Sequence, residues 1–532
     1  MLDVLLHNAQ IIDGTGKPGF VGDIGITGDH ISEIGQFPGA AAKTTLDVSG
    51  RAVLPGFIDM HSHADLALLA APEAESLVRQ GITTIVTGQC GFSPAPLGTK
   101  YRKEMLRSLS MFLSPKIPVP WNEISTFNSF LDTLENTKPA VNVVPLVGHG
   151  MIRATVMGYR SNQPTRNQIE QMQEQILEAL GSGAFGVSTG LIYPPGTFTT
   201  TEEIIETLKP LGDHGGLYFS HARGEAGSVL GAYAEAIEIG RALGTGVQIS
   251  HFKAAGRQNW DKAATALALV DQARLDGYDV TADMYPYEAG WTYLATLLPK
   301  WALAGSQLEI SSRLLLPWQR KKIIAAMKAG EGESIDHIEW DKIYIAGSSI
   351  EAYSGHSIAE LADQEEADPF SWLLNTLLKT RGSIQMIIMV ASEANIRMQL
   401  KHPALMIGTD GMGMSTTGMM RQGIPHPRSF GTYPRLFGQY VRTEGLLSLE
   451  EASWKSSGFP AQKLGLKDRG IIQKGYKADL VVLDPKTIRD CSTYAQPFQY
   501  PQGIDLVFVN GEIVLRDGQQ NQVRPGQVIR RG

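Results

Sequence analysis

Val53-Leu54-Pro55-Gly56-Phe57-Ile58-Asp59-Met60-His61-Ser62-His63 is the stretch whose reading decides the fold. An apolar run ends there in polar residues at alternate positions, and side chains two apart on a strand share a face. Asp59, His61 and His63 therefore converge at the end of one strand. Two neutral imidazoles so placed make half of a metal site. A lone His-x-His carries little, because surface and core histidines share that spacing. This one carries more, because other apolar runs end in Cys90, His221, His251 and Asp410.

The runs recur along the chain: Val53 to His63, Ile82 to Cys90, Val141 to His149, Ala184 to Ser188, Leu217 to His221, Val247 to His251, Val280 to Asp283 and Leu405 to Asp410. Helical patterns separate several of them, clearest in Asn167 to Leu180, Ser228 to Leu243 and Ala263 to Leu275. Apolar strands alternating with helices imply a parallel sheet covered on both faces. Eight such units predict an α/β fold of the (β/α)8 barrel type, whose active site lies at the C-terminal strand ends. The polar residues fall at those ends.

Two connections exceed simple crossovers. Gly91 to Ala140 carries helix-like and Pro-rich pieces, and Met284 to Ala404 is far longer, with five tryptophans from Trp291 to Trp372. A long insertion on that face of a barrel reads as a lid or substrate subdomain. Short strand patterns lie in Asp3 to Leu46 and again in Ala478 to Leu483 and Asp505 to Gly511, the last ending in an Asn-Gly hairpin signal. Neither terminal piece alone makes a stable sheet. The expected division is thus 1–52 with 462–532 as one small β-sandwich domain. Residues 53–461 are expected to form the metal-dependent barrel, with 288–380 as an inserted lid or substrate subdomain between strands seven and eight.

A net charge of −7 and a pI near 6.0 exclude a general affinity for nucleic acid or anionic membrane. No apolar run reaches the ~20 residues that span a bilayer, and Met1 to Gly16 lacks a signal-peptide pattern. With only Cys90 and Cys491, a disulfide framework is not expected; a cytoplasmic protein is.

Gly14 to Gly19 fits G-x-G-x-x-G, but Pro18 and a following strand pattern make it a hairpin turn. Gly186-Val187-Ser188-Thr189-Gly190 fits G-x-S-x-G, yet Tyr193-Pro194-Pro195-Gly196 follows where a nucleophile elbow needs a helix. His7, His30, His214, His337, His356 and His402 read as surface or helix-end residues; His149 is open between packing and a pocket role.

Thiolate and imidazole together favour zinc over magnesium or calcium. His61, His63, His221 and His251 offer nitrogens, and Cys90 a thiolate that completes one site or bridges two ions. Asp410 at the eighth strand end is placed to take a proton from a metal-activated water and pass it to a leaving nitrogen. This is metal-assisted hydrolysis, with amides the natural substrate.

These segments resemble the amidohydrolase superfamily and, within it, the D-aminoacylases (N-acyl-D-amino-acid deacylases), over nearly the whole chain. The similar segments are Leu54 to His63, Gly81 to Thr84 with Gly88-Gln89-Cys90-Gly91-Phe92-Ser93, Gly190 to Gly196, Ser250-His251-Phe252-Lys253-Ala254, Ala282 to Tyr287, Ile407 to Gly411, His426-Pro427-Arg428 and Gly475 to Leu483. The resemblance implies one or two zinc ions, the tighter held by Cys90, His221 and His251 and a weaker one completed by His61 and His63, with Asp410 as general base and acid. It places Lys253, Tyr193, Tyr285 and Arg421 around the carboxylate of an N-acyl-D-amino acid; the D preference rests on it wholly. The fourth strand, Ala184 to Ser188, has no lysine to be carboxylated, as in the cysteine-bridged subgroup. Gly224 departs from relatives that carry an acidic residue there. The alternatives are a cyclic-amide hydrolase of the dihydropyrimidinase or dihydroorotase kind, a dipeptidase acting on D-residues, and a non-catalytic scaffold.

Overall fold

The computed structural model describes residues 1–37 and 39–532. Its central strands are β1 (Phe57–Asp59), β2 (Ile82–Thr87), β3 (Asn142–Pro145), β4 (Gly186–Gly190), β5 (Leu217–His221), β6 (Val247–Ile249), β7 (Val280–Met284) and β8 (Leu405–Ile407). β1, β2 and β3 pair in parallel, as do β4 through β8 in chain order. Beyond Leu146, Val147–Gly148 continues the run of β3 and pairs with β4. On the other side Met60 N donates to Ile407 O at 3.3 Å, and Ser62 bridges Gly411. The strands therefore follow one another around a ring. Their side chains are almost all buried, as both-face coverage requires.

The helices outside the ring are cut by local chemistry. Arg166–Gly181 starts where the Thr165 hydroxyl accepts from Gln168 N and the Gln168 side chain answers at the Thr165 backbone, a reciprocal cap. Its buried residues, Met172, Ile176 and Ala179, recur on one face at helical spacing. Val229–Leu243 ends at Gly244, whose left-handed backbone (φ 65°) stops the helix.

Both ends of the chain pair into one nine-stranded sheet. Leu480–Leu483 lies antiparallel to Ala52–Pro55, which pairs in parallel with the end of Leu2–Ile11. The first half of Leu2–Ile11 pairs with Ala42–Asp47 instead, and the two halves meet at a register break by Asn8, itself left-handed (φ 60°). Leu6, Ile24, Ile26, Val53, Leu480 and Phe508 fill the core of this layer.

The insertion after β7 has its own antiparallel sheet, with Ile384–Met389 between Ala289–Tyr293 and Ile343–Ser348. Four helices, Gln307–Leu315, Pro317–Lys328, Ile358–Gln364 and Pro369–Lys379, pack with it around Leu297, Ile323, Trp372 and Met386. Its central strand is the last in sequence, so the unit runs to Met389 rather than stopping at 380. No helix is long and apolar enough to cross a membrane among the described residues.

Candidate active site

Each side chain of the site leaves the C-terminal end of a ring strand, where the backbone turns sharply. Cys90 (φ 54°), His251 (φ 36°) and Asp410 (φ 48°) all sit in the left-handed region, uncommon for residues with a Cβ. Such strain persists only where surrounding contacts hold it, and it clusters at functional sites. The contacts are visible. Gly91 N donates to Ser188 Oγ, fixing the turn after Cys90, and a Cβ on Gly190 would lie 2.0 Å from Cys90 O, so β4 must present glycine there.

Cys90 Sγ lies 3.3 Å from His61 Nε2 and 3.5 Å from His251 Nε2. The far nitrogens of both rings face carboxylates: His61 Nδ1 is 3.2 Å from Asp283 Oδ1, and His251 Nδ1 is 2.8 Å from Glu225 Oε1. Carboxylates behind imidazoles orient metal-ligating rings and raise their basicity. Asp410 Oδ1 is 3.2 Å from His63 Nε2 and 3.6 Å from His61 Nε2, and the His63 ring stacks on Phe112 at 4.5 Å. Three overlapping sets could hold an ion: His61, Cys90 and His251; His61, His63 and Asp410; His221, Glu225 and His251.

The site's charge favours a cation. Burial pushes the Cys90 thiol up, but His61, His221 and His251 hold it well below its ordinary value. Burial opposes charge on His61, which Cys90, Asp283 and Asp410 raise well above normal; His63, bonded to Asp410, reaches about 9. Protons are thus drawn to the imidazoles by surrounding negative charge, and a metal would replace them. His221 is lowered by burial and by His251, and neither of its buried ring nitrogens has a hydrogen-bond partner. An orphaned imidazole beside a thiolate fits a metal ligand.

Beyond the histidines, Lys253 Nζ donates to Glu225 Oε1 at 2.7 Å and lies 2.9 Å from His251 Nδ1. Burial would discharge Lys253, yet Glu225 holds its pKa above the usual range. Tyr193 shares a hydrogen bond with Thr292 Oγ1 at 2.9 Å, its ring against His221. Lys253, Tyr193 and Tyr285 line one cavity with Cys90, His63 and Asp410.

Arg421, expected beside the substrate carboxylate, lies elsewhere. It is exposed, its guanidinium 4.0 Å over the Phe498 ring and bonded to Thr416 O. The buried arginine is Arg428, which opens the helix after that loop, with Nη1 2.9 Å from Asp410 Oδ2 and its guanidinium over Tyr285. The His426 ring fixes it, contacting Ala289 O and accepting from Arg428 N. Asp59 also departs from expectation: its carboxylate turns to Thr409 N and Oγ1 and clamps β1 to the end of β8. His149 is fully buried at the start of a helix, pushed down to about 3 by burial.

Glu225, Asp283 and Arg428 carry geometry that sequence reasoning did not assign. Asp283 ended an apolar run like the histidines did, which was its signal. Glu225 follows Gly224. A Cβ on Gly224 would fall 2.0 Å from Ser228 Oγ, and it is the neighbouring Glu225 that reaches His251.

The chain matches the model of the Amidohydrolase family over residues 44–363 and 408–515. It is 36% identical over 529 residues to a D-aminoacylase of Alcaligenes xylosoxydans xylosoxydans, covering 99% of this chain and 98% of that protein. A solved structure of D-aminoacylase, studied for its binuclear metal centre, superposes with a TM-score of 0.84 at 34% identity, covering 100% of both chains. The N-acyl-D-glutamate deacylase of Bordetella bronchiseptica, solved with zinc and a phosphonate inhibitor, gives 0.84 at 31% identity over 99% of each chain.

Proposed function

The chain belongs to the Amidohydrolase family, and on that premise we propose that it is a zinc-dependent hydrolase of N-acyl-D-amino acids, yielding a carboxylate and a free D-amino acid. The observation that carries this reading is one cavity in which a thiolate, imidazoles, a carboxylate and a lysine meet: Cys90, His221, His251, Asp410 and Lys253. We read the strand pairings as a (β/α)8 barrel with a small β-sandwich domain from both termini and a lid between strands seven and eight.

Cys90, His221 and His251 would hold the tighter ion, and His61 and His63 a second, weaker one. When bound, zinc lowers the pKa of a water towards ~7 and polarises the amide carbonyl. Asp410, held by Arg428, takes the proton of the attacking water as that water adds to the carbonyl carbon. It hands the proton to the amide nitrogen as the C–N bond breaks, so the amine leaves neutral. Lys253, Tyr193 and Tyr285 bind and orient the substrate carboxylate. Glu225 leaves two of the three Lys253 protons for that task.

The experiment is zinc content per chain measured with turnover of paired N-acetyl-D- and N-acetyl-L-amino acids. Release of D-amino acids only, lost with chelation and restored by zinc, is expected. Turnover of a hydantoin or dihydropyrimidine without N-acyl-D-amino acid turnover would overturn the reading.

A further inference from the structure

The central cavity, lined by Cys90, Asp410 and Lys253, is small, about 40 Å³. That is room for a few waters, too little for a whole acylated amino acid. It shares Phe92 and Tyr193 with a second cavity of about 170 Å³ between the insertion and the loop after β2. A dry cavity of ~150 Å³ admits a benzene, so this one accepts an arm of about six heavy atoms. Its walls are mostly apolar, with Tyr293, Leu298, Leu303 and Leu314 among them.

Two guanidinium groups border this apolar space, that of Arg107 within it and that of the exposed Arg381 at its mouth. Arg107 is half-buried, and its Nη2 is buried without a hydrogen-bond partner. Among the described residues no carboxylate oxygen lies within 4.0 Å of either arginine. Glu104 also borders the cavity but is exposed and outside that distance. The helix carrying Arg107, Arg102–Leu109, is tied down by Tyr293, which donates to Ser108 O, and by Tyr159, which donates to Ser108 Oγ at 2.7 Å. Burial and then the neighbouring Arg381 lower the pKa of Arg107, against a smaller opposing pull from Tyr293 and Glu104.

We propose that this second cavity is a subsite for the carboxylate end of an apolar arm of the substrate, bound by Arg107 and Arg381. The proposal rests on the deacylase reading and deepens it. The guanidinium fork suits a carboxylate, and a buried unpaired donor penalises a neutral arm of the same shape. The carboxylate comes either from the D-amino-acid side chain or from a dicarboxylic acyl group; the two sources share one chemistry.

The test measures kcat/KM for matched pairs with the wild type, Arg381→Gln, and Arg107→Gln with Arg381→Gln. N-acetyl-D-2-aminoadipate against its side-chain amide probes the side-chain source. N-glutaryl-D-methionine against N-pentanoyl-D-methionine probes the acyl source. In one pair the acid is preferred at least tenfold, and the double variant cuts that ratio by about tenfold to hundredfold, the worth of hydrogen bonds to a charged group. The responding pair identifies the source. Ratios that are equal in wild type and double variant for both pairs overturn the subsite. If no N-acyl-D-amino acid is cleaved, the deacylase reading fails. Calorimetry with free glutarate then decides the arginines alone: binding lost in the double variant supports them, and binding that is equal or absent overturns them.

Discussion

Replacing Arg428 by Gln removes the charge that faces Asp410 while keeping a polar side chain of moderate length. Arg428 is 1% exposed, and its Nη1 lies 2.9 Å from Asp410 Oδ2. Removing one partner of a buried ion pair costs ~3–5 kcal/mol, because the other charge is left uncompensated. Two features put this case at the lower end. Nη1 makes a charge contact without an aligned hydrogen bond, and His63 still meets the other Asp410 oxygen at 3.2 Å. The expected destabilisation is therefore ~3 kcal/mol, read from urea unfolding. For catalysis, burial raises the Asp410 pKa, and Arg428 and the histidines bring it well below the usual value. With Arg428 gone the carboxylate is freer to turn, and a displacement of ~1 Å costs about a hundredfold in rate. Turnover should fall by that order with little change in KM, Arg428→Lys should recover part of it, and added guanidinium should rescue Arg428→Gln. Wild-type turnover and stability in Arg428→Gln would refute the reasoning.

Cys90→Ala should lose most bound zinc and activity, since the thiolate supplies charge as well as a ligand; metal analysis showing full occupancy with normal turnover would make the cysteine structural. Asp410→Asn keeps the shape but cannot accept a proton, so turnover should fall ~10²-fold or more while the ion at Cys90 and His251 stays, and full activity would move the base elsewhere. Lys455 and Lys463, each pushed down to about 8 by burial, cap carbonyls of the ring strands from helical segments beneath. Their unfolded value is 10.5, so between pH 8 and that value the unfolded chain binds more protons and the folded state gains stability as pH rises. Relative to a Lys455→Met, Lys463→Met variant, the wild type should gain roughly 4–5 kcal/mol between about pH 7.5 and 10 in denaturant melts; a constant difference would contradict this.

The strand ends were legible because their signal is local. An apolar run closing in His or Cys specifies both the strand and the residue at its mouth, and His61, Cys90, His221 and His251 meet within one cavity's reach. What depended on a second element was not legible. Arg421 lies in the loop that precedes the helix opened by Arg428, and Arg428 is held inward beside the His426 ring, which contacts Ala289 O of the insertion. Alternation put Asp59 on the face of the histidines, but Thr409 N and Oγ1 capture its carboxylate from the end of β8. The sheet of the insertion extends past 380 because Ile384–Met389 finds its partners far upstream, at 289–293 and 343–348.

The pairing of Ala52–Pro55 with Leu480–Leu483 has a consequence for biosynthesis. The strand that leads straight into His61 and His63 leaves the ribosome early, while its antiparallel neighbour is translated after the whole ring and the insertion. Until then Ala52–Pro55 presents an open edge of unpaired amides and carbonyls, a template for pairing with another nascent chain. Gly56 N, on that edge, meets its acceptor Asp479 O only when the late strand arrives.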